Sequence, residues 1–178
     1  MWLEKRTYVQ NWDWMEANDR HEFCVLKGGK PTLIKPERVS EIVEEVAYWR
    51  KANAVHRWFV ENVRHGDDNC AEYRVSEEQL RELLSLCTQV LEGSELVDGE
   101  VTNGKKYENR TWVRMLEKGK VLKGPSTARE LLPTQEGFFF GGTDYDEWYL
   151  KGIKHTKEVL EQALAEEAGG EYYYSSSW

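Results

Sequence analysis

The chain reads as an α+β protein, with a small mixed or antiparallel sheet packed against about four helices, and three observations point there. Aromatic and β-branched runs at both ends have strand character. Segments of helical apolar spacing lie between them, and a basic stretch without helical periodicity interrupts the order. With 178 residues, 40% of them hydrophobic, and 8 Trp, 9 Tyr and 5 Phe, the chain is of a size for one domain spanning residues 1–178, and the rings suffice for its core.

Residues 1–9 and 21–27 carry Trp, Tyr, Val, Phe and Leu, and Gly28-Gly29 then breaks the chain, which reads as two strands and a turn. Pro36 suits the first turn of a helix, and Val39, Ile42, Val43, Val46 and Trp49 follow at helical spacing. A second helical pattern runs from Lys51 through Val55, Trp58, Phe59 and Val63 to a stop at His65-Gly66. Glu72–Val75 is a short strand. Ser76 with Gln79 then forms a capping box for a third helix with its stripe at Leu80, Leu83, Leu84, Cys87, Val90 and Leu91.

Residues 93–124 lose that period, and Asn103-Gly104 between polar strand-like runs predicts the two-residue turn of an inserted, hairpin-like arm outside the core. Phe138-Phe139-Phe140 reads as a buried strand. Thr143 with Asp146 and Glu147 opens a fourth helix whose core face is Tyr145, Trp148 or Tyr149, Ile153, Val159 or Leu160, and Leu164. The closing Glu171–Trp178 is strand-like and adds to the sheet, because an aromatic terminus of this kind orders only by pairing.

Charge and cysteine usage narrow the partners. Lys and Arg number 24 against 32 Asp and Glu, a net charge of −8 that disfavours general nucleic-acid binding. The sign is uneven: residues 93–124 hold seven bases and five acids, so that segment is +2 and the remainder −10. No apolar run is long enough for a membrane span and the N-terminus lacks an apolar leader, while Cys24, Cys70 and Cys87 are odd in number and widely spaced, as reduced thiols are. These features predict a cytoplasmic protein.

Several blocks occur together: Tyr48-Trp49-Arg50-Lys51-Ala52-Asn53 with His56-Arg57-Trp58-Phe59, Leu131-Leu132-Pro133-Thr134, Gly137-Phe138-Phe139-Phe140-Gly141, Thr143–Tyr149, and Tyr172-Tyr173 with Ser176-Ser177-Trp178. In these the chain resembles a family of uncharacterised small proteins encoded by bacteriophages and prophages. The resemblance covers nearly the whole length except residues 93–124, where such proteins have a short link, and the extreme N-terminus. It implies a phage accessory gene product, often one that counters host defences, acting in the host cytoplasm; it implies no specific activity.

No nucleophile elbow, phosphate loop, zinc-protease helix, paired CxxC or dinucleotide fingerprint is present, so a binding protein is favoured over an enzyme, and no cofactor is expected. His65, Asp67, Asp68 and Cys70 offer metal donors, but Gly-Asp-Asn chemistry is ordinary turn chemistry. Gly141-Gly142-Thr143 resembles an anion-binding helix start, which Asp144, Asp146 and Glu147 would oppose.

The stronger candidates lie on the second predicted helix. Arg50, Asn53 and Arg57 at i, i+3 and i+7 would share a face, with His56 at its edge, and Arg50, Arg57 and Arg64 repeat every seven residues in a pattern suited to phosphate. Phe138, Phe140, Tyr145 and Tyr149 complete the candidate site as an aromatic wall. The expected function is therefore binding of a small polar ligand, such as a nucleotide-type host immune signal that the protein sequesters. Two alternatives stand beside it: a protein inhibitor or acidic mimic that binds a host enzyme, and a hydrolase or nuclease using His56. Self-association is left open.

Overall fold

The structure, a computed structural model, describes residues 1–137, 141–166 and 169–177. In chain order, β1 (Trp2–Tyr8) is followed by a minimal hairpin of β2 (Leu26–Lys27) and β3 (Lys30–Pro31), then β4 (Glu41–Tyr48), α1 (Asn53–Asn62), β5 (Tyr73–Val75) and α2 (Glu77–Glu92). There follow β6 (Leu96–Glu108), β7 (Thr111–Leu122), α3 (Ser126–Leu131), α4 (Glu147–Ala165) and β8 (Glu171–Ser175). The fold is α+β, and the strand pairings among the described residues are antiparallel.

The main sheet has the order β4-β1-β8-β5, so the last strand slots between the first strand and a mid-chain one. Strand alternation sends Leu3 and Lys5 of β1 inward, and their cross-strand partners Tyr174 and Tyr172 of β8 are buried beside them. Leu3, Tyr172 and Tyr174 join one core cluster with Val55, Trp58 and Phe59 of α1, Leu80, Leu83, Cys87 and Val90 of α2, and Ile153 and Leu160 of α4. Burial drives the Cys87 thiol up to about 12, so it is a neutral core filler. Both halves of the capping box form at Ser76: the Gln79 N–H donates to Ser76 Oγ at 3.2 Å, and the Ser76 N–H donates to Gln79 Oε1 at 2.9 Å.

The structure differs from the sequence reading at several elements. The helix expected from Pro36 to Trp49 is a short 3-10 turn at Pro36–Arg38 followed by β4. Its Val and Ile residues are β-branched and pair along β1 as an edge strand, and Ile42 and Val43 stay exposed; only Ala47 and Trp49 near its end are buried. The strand expected over residues 21–27 shrinks to Leu26–Lys27. Helix α4 starts after an Asp146 cap, whose carboxylate accepts the Tyr149 N–H at 2.9 Å, rather than at Thr143. Phe138-Phe139-Phe140 lies outside the described residues.

The arm is a hairpin, as expected, but it turns elsewhere. Asn109 and Arg110, with φ of 48° and 64°, make the reversal, and the pairing slips between Thr102 and Lys105, where Gly104 sits at φ 88°. A bulge of this kind takes glycine because a left-handed residue is needed there. The base of the arm belongs to the core: Leu122 is buried, its N–H donates to the Tyr145 carbonyl at 2.8 Å, and Val121 bridges to Asp146. Beyond Thr102 and Leu116, the paired strands are mostly exposed.

This split predicts two deletion outcomes. Replacing residues 104–114 by a two-residue Asn-Gly turn leaves the thermal midpoint within about 2 °C, as exposed changes do. Replacing Ser94–Lys123 by a flexible link strips Leu122 from the core and lowers the midpoint by about 3–12 °C. Differential scanning calorimetry distinguishes the two.

Candidate functional site

The backbone between the sheet and the first helix shapes a cleft. β4 delivers Tyr48 and Trp49; the chain then passes through Lys51, held at φ 62°, and enters α1 at Asn53. Opposite this linker stand the 141–144 loop and the first two turns of α4, and together they enclose a cavity of about 480 Å³. Ligand pockets commonly occupy about 300–1,000 Å³.

Each wall has a fixed part. Trp49 is buried, and its indole N–H donates to Thr156 Oγ1 of α4 at 2.9 Å. Asn53 is likewise buried: its amide donates to the Gly142 carbonyl at 2.7 Å and accepts the Gln135 N–H at 3.3 Å, so it ties both Gln135 and Gly142 to the start of α1. Tyr149 donates its hydroxyl to the Leu132 carbonyl at 2.9 Å, and burial holds its proton well above the usual phenol range. On the floor Asp144 accepts the Thr102 N–H at 2.8 Å and faces Arg114 at 3.5 Å. Asp146, which also lines the cleft, has its carboxyl pushed up by burial against its cap bonds.

The exposed groups include three cations, Arg50, Lys51 and Lys151, and His155 also lines the cleft and is exposed. Among the described residues Arg50, Lys51 and Lys151 form no ion pair; Lys151 Nζ instead lies 5.1 Å from the ring centroid of Trp148, which is 68% exposed at the same rim. Tyr48, also exposed, completes the aromatic rim.

Of the candidate ligand-binding residues, Arg50, Asn53 and Tyr149 line this cleft, whereas His56, Arg57 and Tyr145 do not. Helix α1 begins at Asn53, so Arg50, Asn53 and Arg57 never share a helical face, nor do Arg50, Arg57 and Arg64. Arg57 points away into an ion pair with Glu61 at 2.7 Å, one turn on. Tyr145 packs on Tyr149 with centroids 5.0 Å apart, and its hydroxyl accepts the Thr134 N–H at 3.1 Å. Phe138 and Phe140 lie outside the described residues. Missed by the sequence reading were Lys51, Trp148 and Lys151; the Trp148-Lys151 spacing at i, i+3 on a helix start was the available signal.

His56 has a different position altogether. It is fully buried, with Nδ1 2.7 Å from the Tyr174 hydroxyl and Nε2 3.1 Å from Asp68 Oδ1. The neutral tautomer that serves both partners carries its proton on Nε2 for Asp68 and accepts the tyrosine proton at Nδ1. Nearby, Arg64 is 1% exposed, donates to the Asn69 and Ala71 carbonyls and to Ser176 Oγ, and lies 3.8 Å from Asp68. Asp68, a donor in the candidate metal group, is thus engaged by His56 and Arg64, and no cluster suited to a metal occurs among the described residues. With both ring nitrogens engaged and the ring buried, His56 bridges β8 to the loop that carries Asp68. No helix among the described residues is long and apolar enough to cross a membrane.

Compared with known proteins, the chain matches no family model, no curated protein and no solved structure.

Burial depresses the His56 proton affinity below the ordinary histidine value, with Asp68 acting in the opposite sense. The unfolded chain therefore binds the proton more tightly, so unfolding free energy declines as the pH falls below about 6.5 and levels off past the folded-state value. His56→Gln flattens that part of the profile. Urea titrations of both proteins between about pH 7.5 and 5 measure it, and an unchanged slope in the variant would assign the proton uptake elsewhere.

Proposed function

We propose that the protein binds a small anionic, ring-bearing ligand of the nucleotide type in the cleft between the β4–α1 linker and α4. The observation that carries this reading is the surplus of cations there: Arg50, Lys51 and Lys151 stand beside an exposed Trp148, in a chain whose net charge is −8. Phosphate finds Arg50 and Lys51 as neighbours on one linker. A base finds the rings of Trp148 and Tyr48 at the rim. Asp144 is already satisfied by Arg114 and the Thr102 N–H, which reduces its repulsion of an anion.

The reading is one of binding rather than turnover, because the cleft's rigid polar groups are committed to holding its walls. In the setting implied by the resemblance to phage and prophage proteins, such a pocket would withdraw a nucleotide signal of host defence from its receptor.

Calorimetric titration with mono-, di- and cyclic nucleotides tests the reading. Base stacking contributes about 1–3 kcal/mol, so Trp148→Ala weakens binding by roughly 5- to 150-fold. Arg50→Ala weakens it by at least about tenfold through the lost charge-assisted bond, while Arg57→Ala, outside the cleft, leaves affinity unchanged. Each shifts stability by less than about 1 kcal/mol. Absence of heat with every nucleotide refutes the ligand class, and full affinity in both cleft variants refutes the site.

A further inference from the structure

We propose that the distal half of the β6–β7 arm is a docking surface for single-stranded nucleic acid, with bases stacking on Tyr107 and Trp112 and phosphates meeting Lys105, Arg110 and Arg114. The rings, Lys105 and Arg110 of this site lie outside the cleft, and only Arg114 also faces a cleft residue, Asp144, at 3.5 Å.

The first ground is the pairing register. Tyr107 stands opposite Trp112, and Lys105 opposite Arg114, and the period-two alternation of a strand places all four side chains on one face of the ribbon. The distal acid, Glu108, pairs with Thr111 and falls on the other face, where it meets Lys106 at 2.8 Å. One face of the ribbon thus joins rings and cations with no carboxylate of the arm between them, and Asp144 of the body meets it only at its inner end, at Arg114.

The second ground is exposure. Tyr107 and Trp112 are 61% and 66% exposed and lie 5.4 Å apart by ring centroid, and among the described residues no other ring lies against them. A two-stranded ribbon cannot bury them itself, because it has no second layer. Among the described residues Lys105 and Arg110 form no ion pair, and Arg110 is held at the extreme tip by its left-handed turn. Unstacked bases offer these rings a flat apolar face at any sequence, and the flanking cations match the backbone charge.

The third ground is distance from the acidic body. The net charge of −8 argues against nucleic acid on the molecule as a whole. From Thr102 to Glu108, however, the ribbon continues for roughly 20 Å at about 3.3 Å per residue. That is about two Debye lengths at physiological salt, so the repulsion of the body is largely screened at the tip. A duplex hides its base faces, whereas an unpaired strand presents them, and this selects the single strand over the double one.

Fluorescence anisotropy of labelled oligothymidylate and oligouridylate, about 20 nucleotides long, provides the test. Neutralising about three phosphates makes affinity fall on the order of 20-fold as salt rises from about 50 to about 200 mM. The double variant Tyr107→Ala/Trp112→Ala binds at least about tenfold more weakly with an unchanged melting midpoint, and Lys105→Ala/Arg110→Ala has a shallower salt dependence. The proposal is overturned by absence of binding at low salt, by full affinity in the ring variant, or by equal binding of a duplex or of polyglutamate, which would mark a bare cation patch for acidic partners.

Discussion

The ring of Tyr174 is gripped on both faces and at its hydroxyl. Phe59 stacks on it at 3.9 Å with the planes 7° apart, the Arg64 guanidinium carbon lies 4.8 Å from its centroid, and His56 Nδ1 meets its oxygen at 2.7 Å. The residue is on β8, which is hydrogen-bonded to β1 on one side and β5 on the other. One side chain therefore fixes the central strand of the sheet against α1 and against the loop that carries Asp68. Removing a partner from such a buried charged group typically destabilises by about 3–5 kcal/mol, since the remaining charge has nowhere to find water. Arg64 is the sensitive member: four of its groups' contacts are satisfied by Asn69, Ala71 and Ser176 together with the Asp68 carboxylate, while its Nε has no partner among the described residues.

That grip extends to the cleft. With α1 held by Tyr174 through Phe59 and His56, the first residue of the helix, Asn53, has a fixed position from which to hold the Gly142 carbonyl and the Gln135 N–H. Trp49 does the same on the other side by bonding Thr156 of α4. The floor and walls of the cavity are thus extensions of the core, whereas Arg50, Lys51 and Trp148 at its rim are free to adapt. A binding site of this construction keeps its shape from buried amides and indoles and its affinity from exposed cations and rings.

The elements whose signals were local were legible in the sequence. Ser76 and Gln79 form their capping box because both halves lie within one helical turn, and the Leu80, Leu83, Cys87 and Val90 stripe is buried because its spacing admits one period only. β4 was not legible. Ile42, Val43, Val46 and Trp49 match the helical spacing as well as any true helix does, and the preference for a strand comes from β1, a partner distant in sequence. The same limit applied to the site. Arg50, Asn53 and Tyr149 were found as residues, but the face drawn through Arg50, Asn53 and Arg57 assumed a helix that begins three residues too early. Where a helix begins decides which side chains share a direction, and Ala52, the residue preceding α1, makes no side-chain cap that a reader of the sequence could have noticed.

The distribution of charge follows from the same architecture. Edge strand β4 carries Glu41, Glu44 and Glu45 on a border that would otherwise invite another strand, and the i, i+4 pairs on α2 and α4 hold acids and bases together along solvated faces. Acidity on the body thereby guards an edge and adds like-charge repulsion between copies. Among the described residues, two of the groups of cations without ion-pair partners, the linker at Arg50-Lys51 and the arm's Lys105 and Arg110, stand beside exposed rings. Stability gives no reason for that coincidence, because an exposed ring beside an exposed cation contributes only about 0.5–1 kcal/mol. Recognition of an anion with a flat apolar face does supply a reason, and it is the same reason at both places.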